Sequence, residues 1–159
     1  MNNSSDKPIA LGCDEAAYHL KESIRAHLEK RGIVVQDYGV HDTSPSLYPD
    51  KAAEVSEAVA SGRHDRAILM CGTGIGMCIT ANKVPGVRAA VCHDQYSAER
   101  ARKSNDAQVM ALGARVVGEE LAKSLVDTWL GSDFQGGSST AKVERMKEIE
   151  GRYSHATAK

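Results

Sequence analysis

Short apolar runs, each too brief for a helix, recur through the chain, and between them stand longer segments whose apolar residues return every three or four positions. That alternation is the sequence sign of βαβ units wound around a parallel sheet. It predicts strands over 9–12, 33–38, 67–70, 87–92 and 109–112. Leu20, Ile24 and Leu28 repeat at helical spacing up to Gly32, and Leu121, Leu125 and Trp129 repeat before Gly131. Each set gives one apolar stripe that stops at a glycine suited to a C-terminal cap. Further helices are expected over 49–61, 75–83 and 97–104, and a last amphipathic one over 139–151 after the Gly136-Gly137 break. The fold class is therefore α/β, a three-layer sandwich on a five-stranded parallel sheet. Right-handed crossovers prune the topology and leave the strand order open.

With 159 residues the chain has the size of one domain, which buries roughly two thirds of its unfolded surface without staples. The expected layout is a single domain over 1–159, with an α/β core over 6–135 and a C-terminal helical arm over 136–152. The arm has little core of its own, so packing on a partner subunit is weighed evenly against folding back on its own domain. The ends, before Asp6 and after Arg152, are polar and expected to fray.

Composition removes several function classes. Apolar residues make up 42% and charged residues 26%, close to the average for soluble globular proteins. Formal net charge is −1, with Lys and Arg spread along the chain, so the field that marks a nucleic-acid or membrane binder is missing. Residues 1–7 lack the apolar stretch of a secretory signal and no apolar run approaches a membrane span, which makes a cytoplasmic location the expectation. The cysteines, Cys13, Cys71, Cys78 and Cys92, are too dispersed for a disulfide framework, and neither they nor the histidines fall at zinc spacing. All four read as reduced thiols, and neither a metal nor a cofactor is expected.

In an open α/β sheet the ligand lies beyond the carboxyl ends of the strands. That edge receives Cys13-Asp14-Glu15, Cys71-Gly72-Thr73-Gly74-Ile75-Gly76, His93-Asp94 and Gly113-Ala114-Arg115. The second is the strongest feature, a buried strand turning through three alternate glycines into a helix. Such a turn brings backbone N–H groups and the positive helix end toward an anion. It is not a dinucleotide fingerprint, since Met77 stands where glycine is needed, nor a P-loop, since no Gly-Lys-Ser/Thr follows. A tight turn without a ligand is the bland alternative.

A thiol placed like Cys71, at a strand end before a helix N-terminus, is expected to have its pKa lowered, and a partly ionised thiolate is a usable general base. Cys78 and Cys92, and mostly Cys13, read as small buried hydrophobes. Asp14 is placed either to bond a substrate hydroxyl or to cap the next helix. His93 with Asp94 is a second acid–base candidate, against the plainer reading of a histidine that satisfies backbone groups. Arg115 and Lys142 are candidate phosphate ligands.

These loops, with Tyr48-Pro49-Asp50, Ala81-Asn82-Lys83, Tyr96-Ser97-Ala98, Asn105-Asp106, Leu112-Gly113-Ala114-Arg115-Val116-Val117-Gly118 and Asp127-Thr128-Trp129-Leu130, resemble the ribose/galactose isomerase family, that of ribose-5-phosphate isomerase B. The match runs in order and register from about residue 8 to 150. The resemblance implies a Rossmann-like sandwich that forms a homodimer or homotetramer with active sites shared between subunits. It implies metal-independent aldose–ketose isomerisation of ribose 5-phosphate and ribulose 5-phosphate, a step of the pentose phosphate pathway, through an enediolate. Carried over, Cys71 is the base, Thr73 and Asp14 handle substrate hydroxyls, and the N–H groups of Gly72, Gly74 and Gly76 stabilise the enediolate oxygen. Tyr48, His93, Asn105, Arg115 and Lys142 join them as substrate contacts.

The chain also departs from that pattern. Glu15 stands where ribose-specific members carry a histidine, Ser104 where they carry the ring-opening histidine, and Ser138 and Lys142 where two arginines hold phosphate. A carboxylate beside a phosphate is repulsive unless protonated or moved aside. A tetrose phosphate such as erythrose 4-phosphate cannot close a normal furanose through its phosphorylated end, so it needs no ring opener and becomes a candidate substrate. Alternatively Glu15 or His93 opens the ring, and pentoses, or hexoses such as allose or galactose 6-phosphate, remain. From a different class, the chain would be a non-catalytic sugar-phosphate-binding module that kept the cradle. A thiol redox protein would need a resolving cysteine at a motif spacing, and there is none.

Overall fold

The computed structural model describes residues 7–154. Its centre is three strands, β1 (Ile9–Cys13), β3 (Ala67–Cys71) and β5 (Val109–Gly113), in which every residue is buried. Continuous apolar runs of this kind suit parallel strands covered on both faces. The remaining strands, β2 (Val35–Asp37) and β4 (Ala89–Val91), lie at the two edges and are half-buried. Both are shorter than the apolar runs predicted over 33–38 and 87–92. The reason is pairing: an edge strand has one neighbour, and outside the paired stretch Val87 gives its N–H to a turn at Val84 O instead of a ladder. The sheet order is β2-β1-β3-β5-β4 and all pairs are parallel. The chain winds outward from β1 to one edge and from β3 to the other, so the switch point lies between β1 and β3.

Alternation along β3 divides the core. Ile68 and Met70 face a layer made by α1 (Tyr18–Lys30), α4 (Gln95–Lys103) and α5 (Glu119–Leu130), with Trp129 fully buried in it. Ala67, Leu69 and Cys71 face the other layer, made by α2 (Tyr48–Ala60) and α3 (Ile75–Ala81). In α5 the buried stripe is Ala122, Leu125, Val126 and Trp129. The expected Leu121 is instead 44% exposed, because residues at i, i+3, i+4 and i+7 from Ala122 share the inward face and Leu121 sits beside it. At the end of α1, Gly32 takes the left-handed φ of +73° predicted for a capping glycine.

The C-terminal helix α6 (Thr140–Ser154) follows a 3-10 turn over Gly137–Ser139. It extends two residues past Arg152, where fraying was expected to begin. The fraying expected before Asp6 and after Ser154 falls outside the described residues. Val143 is buried, while Met146, Ile149 and Tyr153 form an exposed stripe on α6. No helix among the described residues is long and apolar enough to cross a membrane.

Candidate active site

Strand register puts Cys71 at the centre of the carboxyl edge. It pairs with Gly113 on β5, and on its other side Cys13 pairs with Met70 while the Asp14 N–H donates to Met70 O at 3.1 Å. Adjacent strands lie about 5 Å apart, so Asp14, Cys71 and Gly113 stand side by side at the switch point. Beyond β5, His93 follows the end of β4.

The loop after β3 is shaped by backbone packing. Gly74 has φ +76°, and a Cβ there would lie 2.9 Å from the carbonyl carbon of Leu112. A Cβ on Gly113 would lie 2.7 Å from the Thr73 carbonyl. Only hydrogen at both positions lets the loops meet. They are then joined by hydrogen bonds from Ala114 N–H to Cys71 O and from Arg115 N–H to Gly72 O, both 2.9 Å. This geometry aims the Gly74 N–H at Cys71 Sγ, 3.1 Å away. Gly74, expected to serve an enediolate oxygen, is committed to the sulfur. The N–H groups of Gly76 and Met77 in the first turn of α3 have no intrahelical acceptor. Thr73 is exposed, its Oγ1 accepting from Ile75 N–H at 3.3 Å. The Arg115 guanidinium lies over Gly72, where a Cβ would come 3.2 Å from Nη1. The ring of Tyr48 covers Gly76, where a Cβ would come 2.4 Å from it.

The titratable groups divide by environment. Asp14 is buried and caps the 3-10 turn Glu15–Ala17 by accepting from Ala17 N–H at 3.1 Å. Burial pushes its carboxyl above the usual range, against the Ala17 bond that lowers it. Glu15 accepts from the N–H and hydroxyl of Ser46, which hold its carboxyl below the usual range. His93 Nε2 accepts from Gly113 N–H at 2.9 Å. That nitrogen must be unprotonated and the ring carries its proton on Nδ1; burial lowers the pKa, with Asp94 opposing. Asp94 itself caps α4 through Ser97 N–H at 2.7 Å. Of the two readings of His93-Asp94, the arrangement matches the plainer one, since both side chains accept from backbone N–H groups. Among the described residues no three of His, Cys, Asp and Glu gather as a metal site.

The other expected residues stand elsewhere. Arg88, just ahead of β4, donates from Nε to Asn105 O at 3.1 Å, so α4 has carried Ser104 and Asn105 back to the amino edge. There Ser104 Oγ accepts from Arg100 Nε at 2.9 Å. Lys142 is exposed on α6, a helix tied to the same edge by Gly86 N–H donating to Glu150 at 3.0 Å. Ser138 lies in the turn before α6. Within one copy of the chain the expected site is therefore two sets of residues, separated by strands about 15 Å long. Sequence reading missed Ser46, whose partner lies 31 positions away with no local motif to mark it. Gly113 was visible as the glycine closing an apolar strand, but its contact with Thr73 needed the strand order.

A family model described as ribose/galactose isomerase matches residues 9–146. The chain belongs to that family. A relative from Pectobacterium atrosepticum named D-erythrulose-4-phosphate isomerase is 53% identical, covering 92% of this chain and 97% of the relative. A Listeria innocua relative named Ribose-5-P isomerase B is 55% identical, covering 89% and 96%. Among solved structures, the ribose-5-phosphate isomerase B of Clostridium thermocellum superposes with a TM-score of 0.90 at 50% identity, covering 92% of this chain and 99% of that one. The chain is thus an isomerase of this family, with the family's α/β sandwich.

Proposed function

We propose that the protein interconverts an aldose phosphate and its ketose through an enediolate, with Cys71 as base, and that its substrate is a four-carbon sugar phosphate, D-erythrulose 4-phosphate with its aldose isomer. The Cys71 thiolate takes the proton from the carbon beside the carbonyl and the electron pair moves onto the carbonyl oxygen; the hydroxyl proton of the neighbouring oxygen passes to that oxygen, and the thiol returns its proton to the former carbonyl carbon as the new carbonyl forms. Nothing is oxidised or reduced overall. Charge developing on oxygen meets the Thr73 hydroxyl, the first-turn N–H groups of α3 and the Arg115 guanidinium; preorganised donors contribute most where charge develops. Asp14, with its raised pKa, exchanges protons with the substrate hydroxyls beside it. A second copy of the chain supplies Ser104, Asn105, Ser138 and Lys142, in a homodimer or a tetramer of such pairs.

The observation that carries the choice of substrate is Ser104. Its hydroxyl is held by Arg100 and cannot accept a proton as a ring-opening histidine would, and an open-chain tetrulose phosphate does not require one. The name of the Pectobacterium relative agrees with this choice. A second reading, ribose 5-phosphate and ribulose 5-phosphate, is favoured by the names of the Listeria and Clostridium relatives at similar identity. A coupled assay over tetrose, pentose and hexose phosphates, with chelator present and Cys71→Ala beside the unaltered protein, separates them. The highest kcat/KM is expected for the tetrose phosphate, with Cys71→Ala inactive. A preference for ribose 5-phosphate would support the second reading, and tight binding without turnover would return the chain to the non-catalytic class.

A further inference from the structure

From Asp42 to Leu47 the segment between β2 and α2 is exposed along the carboxyl edge, apart from half-buried Ser46. Both polar groups of Ser46 converge on one oxygen of Glu15, the N–H at 3.1 Å and the hydroxyl at 2.6 Å from Oε2. Bonds to an ionised acceptor are about twice as strong as neutral ones. Ser46 stands two residues before Tyr48, whose ring covers Gly76 so closely that a Cβ there would lie 2.4 Å from it. Leu47, between them, makes no side-chain cap bond to α2. Ser46 is thus the anchored point next to the Tyr48 wall. On the other side, Glu15 follows Asp14 directly, and the Arg115 charge acts on both carboxylates.

We propose that Glu15 and Ser46 form a clasp that fixes the Tyr48 wall over the glycine loop and so sets the length of sugar phosphate the site admits. Both are positioning residues for the reaction. The carboxylate oxygen that accepts from Ser46 is directed at the loop, so Glu15 acts as a strut rather than as the ring-opening group. The clasp rests on the aldose–ketose reading for what the site converts, while its effect on affinity is measurable without turnover.

The test compares the full chain with Ser46→Ala, Glu15→Ala, the double variant and Glu15→Gln, in kinetics with tetrose and pentose phosphates and in calorimetric binding of both. Ser46→Ala and Glu15→Ala are each expected to raise KM and Kd for the preferred substrate about fivefold to tenfold, with kcat changing by less than about twofold on the same estimate. The double variant is expected to be no worse than either single one, because both remove the same contact. Glu15→Gln keeps an acceptor oxygen and is expected to recover most of the loss. The ratio of tetrose to pentose affinity is expected to narrow in the Ala variants. Unchanged Kd in Ser46→Ala overturns the clasp. A loss of kcat in Glu15→Gln equal to that in Glu15→Ala would instead make Glu15 an acid–base group. Cys71→Ala run alongside reports on the isomerase reading separately, since its turnover can vanish whatever the clasp variants do.

Discussion

At Gly74 two constraints coincide: a left-handed φ of +76° and a carbonyl carbon 2.9 Å from where a Cβ would stand. A side chain there costs on the order of 1–3 kcal/mol from backbone conformation alone. Gly74→Ala is therefore expected to lower the unfolding free energy extrapolated from urea titration by that amount and to reduce kcat as the N–H on Cys71 Sγ shifts; a variant as stable as the parent would show that the loop yields. His93 makes a pH prediction. Its folded pKa is lowered by burial, so the unfolded chain takes the proton first. The stabilisation is present above the unfolded value near 6.5 and is lost as pH falls through it toward the lower folded one. Urea midpoints measured between pH 8 and pH 5 are expected to fall, and His93→Gln, which still offers an oxygen to Gly113 N–H, is expected to flatten that slope. An unchanged slope would assign it to another group. Cys71 was legible in the sequence because a strand end followed by alternate glycines fixes where a thiol stands. That His93 serves a backbone group was one of the two readings the sequence offered, but which group it serves, and the hold of Ser46 on Glu15, were not legible, since Gly113 and Ser46 reach them only through the fold.

Among the elements, the helices were readable from apolar period and the central strands from unbroken apolar runs. The exact stripe on α5 was not, because Leu121 and Ala122 both fit a spacing of three and four. The structure decides between them: Leu125→Ala, at a fully buried position, is expected to cost about 2–5 kcal/mol, and Leu121→Ala within about 0.5 kcal/mol of neutral. Equal losses in urea unfolding would contradict the inward face assigned to α5. Strand order was hidden for a different reason. Pairing of β3 with β5, and not with β4, joins residues some forty positions apart, and no local signal records it. One matched stretch also proves architectural: Asn82 Nδ2 donates to Ala89 O, and its Oδ1 accepts from Ala89 N–H, both at 2.9 Å. The side chain thereby tethers edge strand β4 to the end of α3.

For the whole molecule, the separation of the Cys71 set from Ser104, Asn105 and Lys142 matters most, because one copy holds both halves but cannot bring them together. If two copies complete each other's sites, Cys71→Ala mixed with an Asn105→Ala/Lys142→Ala variant regains activity through hybrids with one intact site. Random pairing in a two-fold dimer predicts recovery to about a quarter of the unaltered rate. Activity that merely averages the two variants would place the whole site within one copy. The field of the molecule agrees with a small ligand: net charge is −1, and in the proposed site attraction for a phosphate would be local, from Arg115 and from Lys142 of a second copy. In the proposed reaction all of this serves proton transfer by Cys71. The direct measurement is NMR of the sugar phosphate turned over in deuterium oxide by the unaltered chain and by Cys71→Ala, matched for folding by circular dichroism. Deuterium is expected to enter at the carbon beside the carbonyl with the unaltered chain, and its rate to fall by about two to four orders of magnitude in Cys71→Ala. Undiminished incorporation in that variant would contradict the assignment of Cys71 as the base.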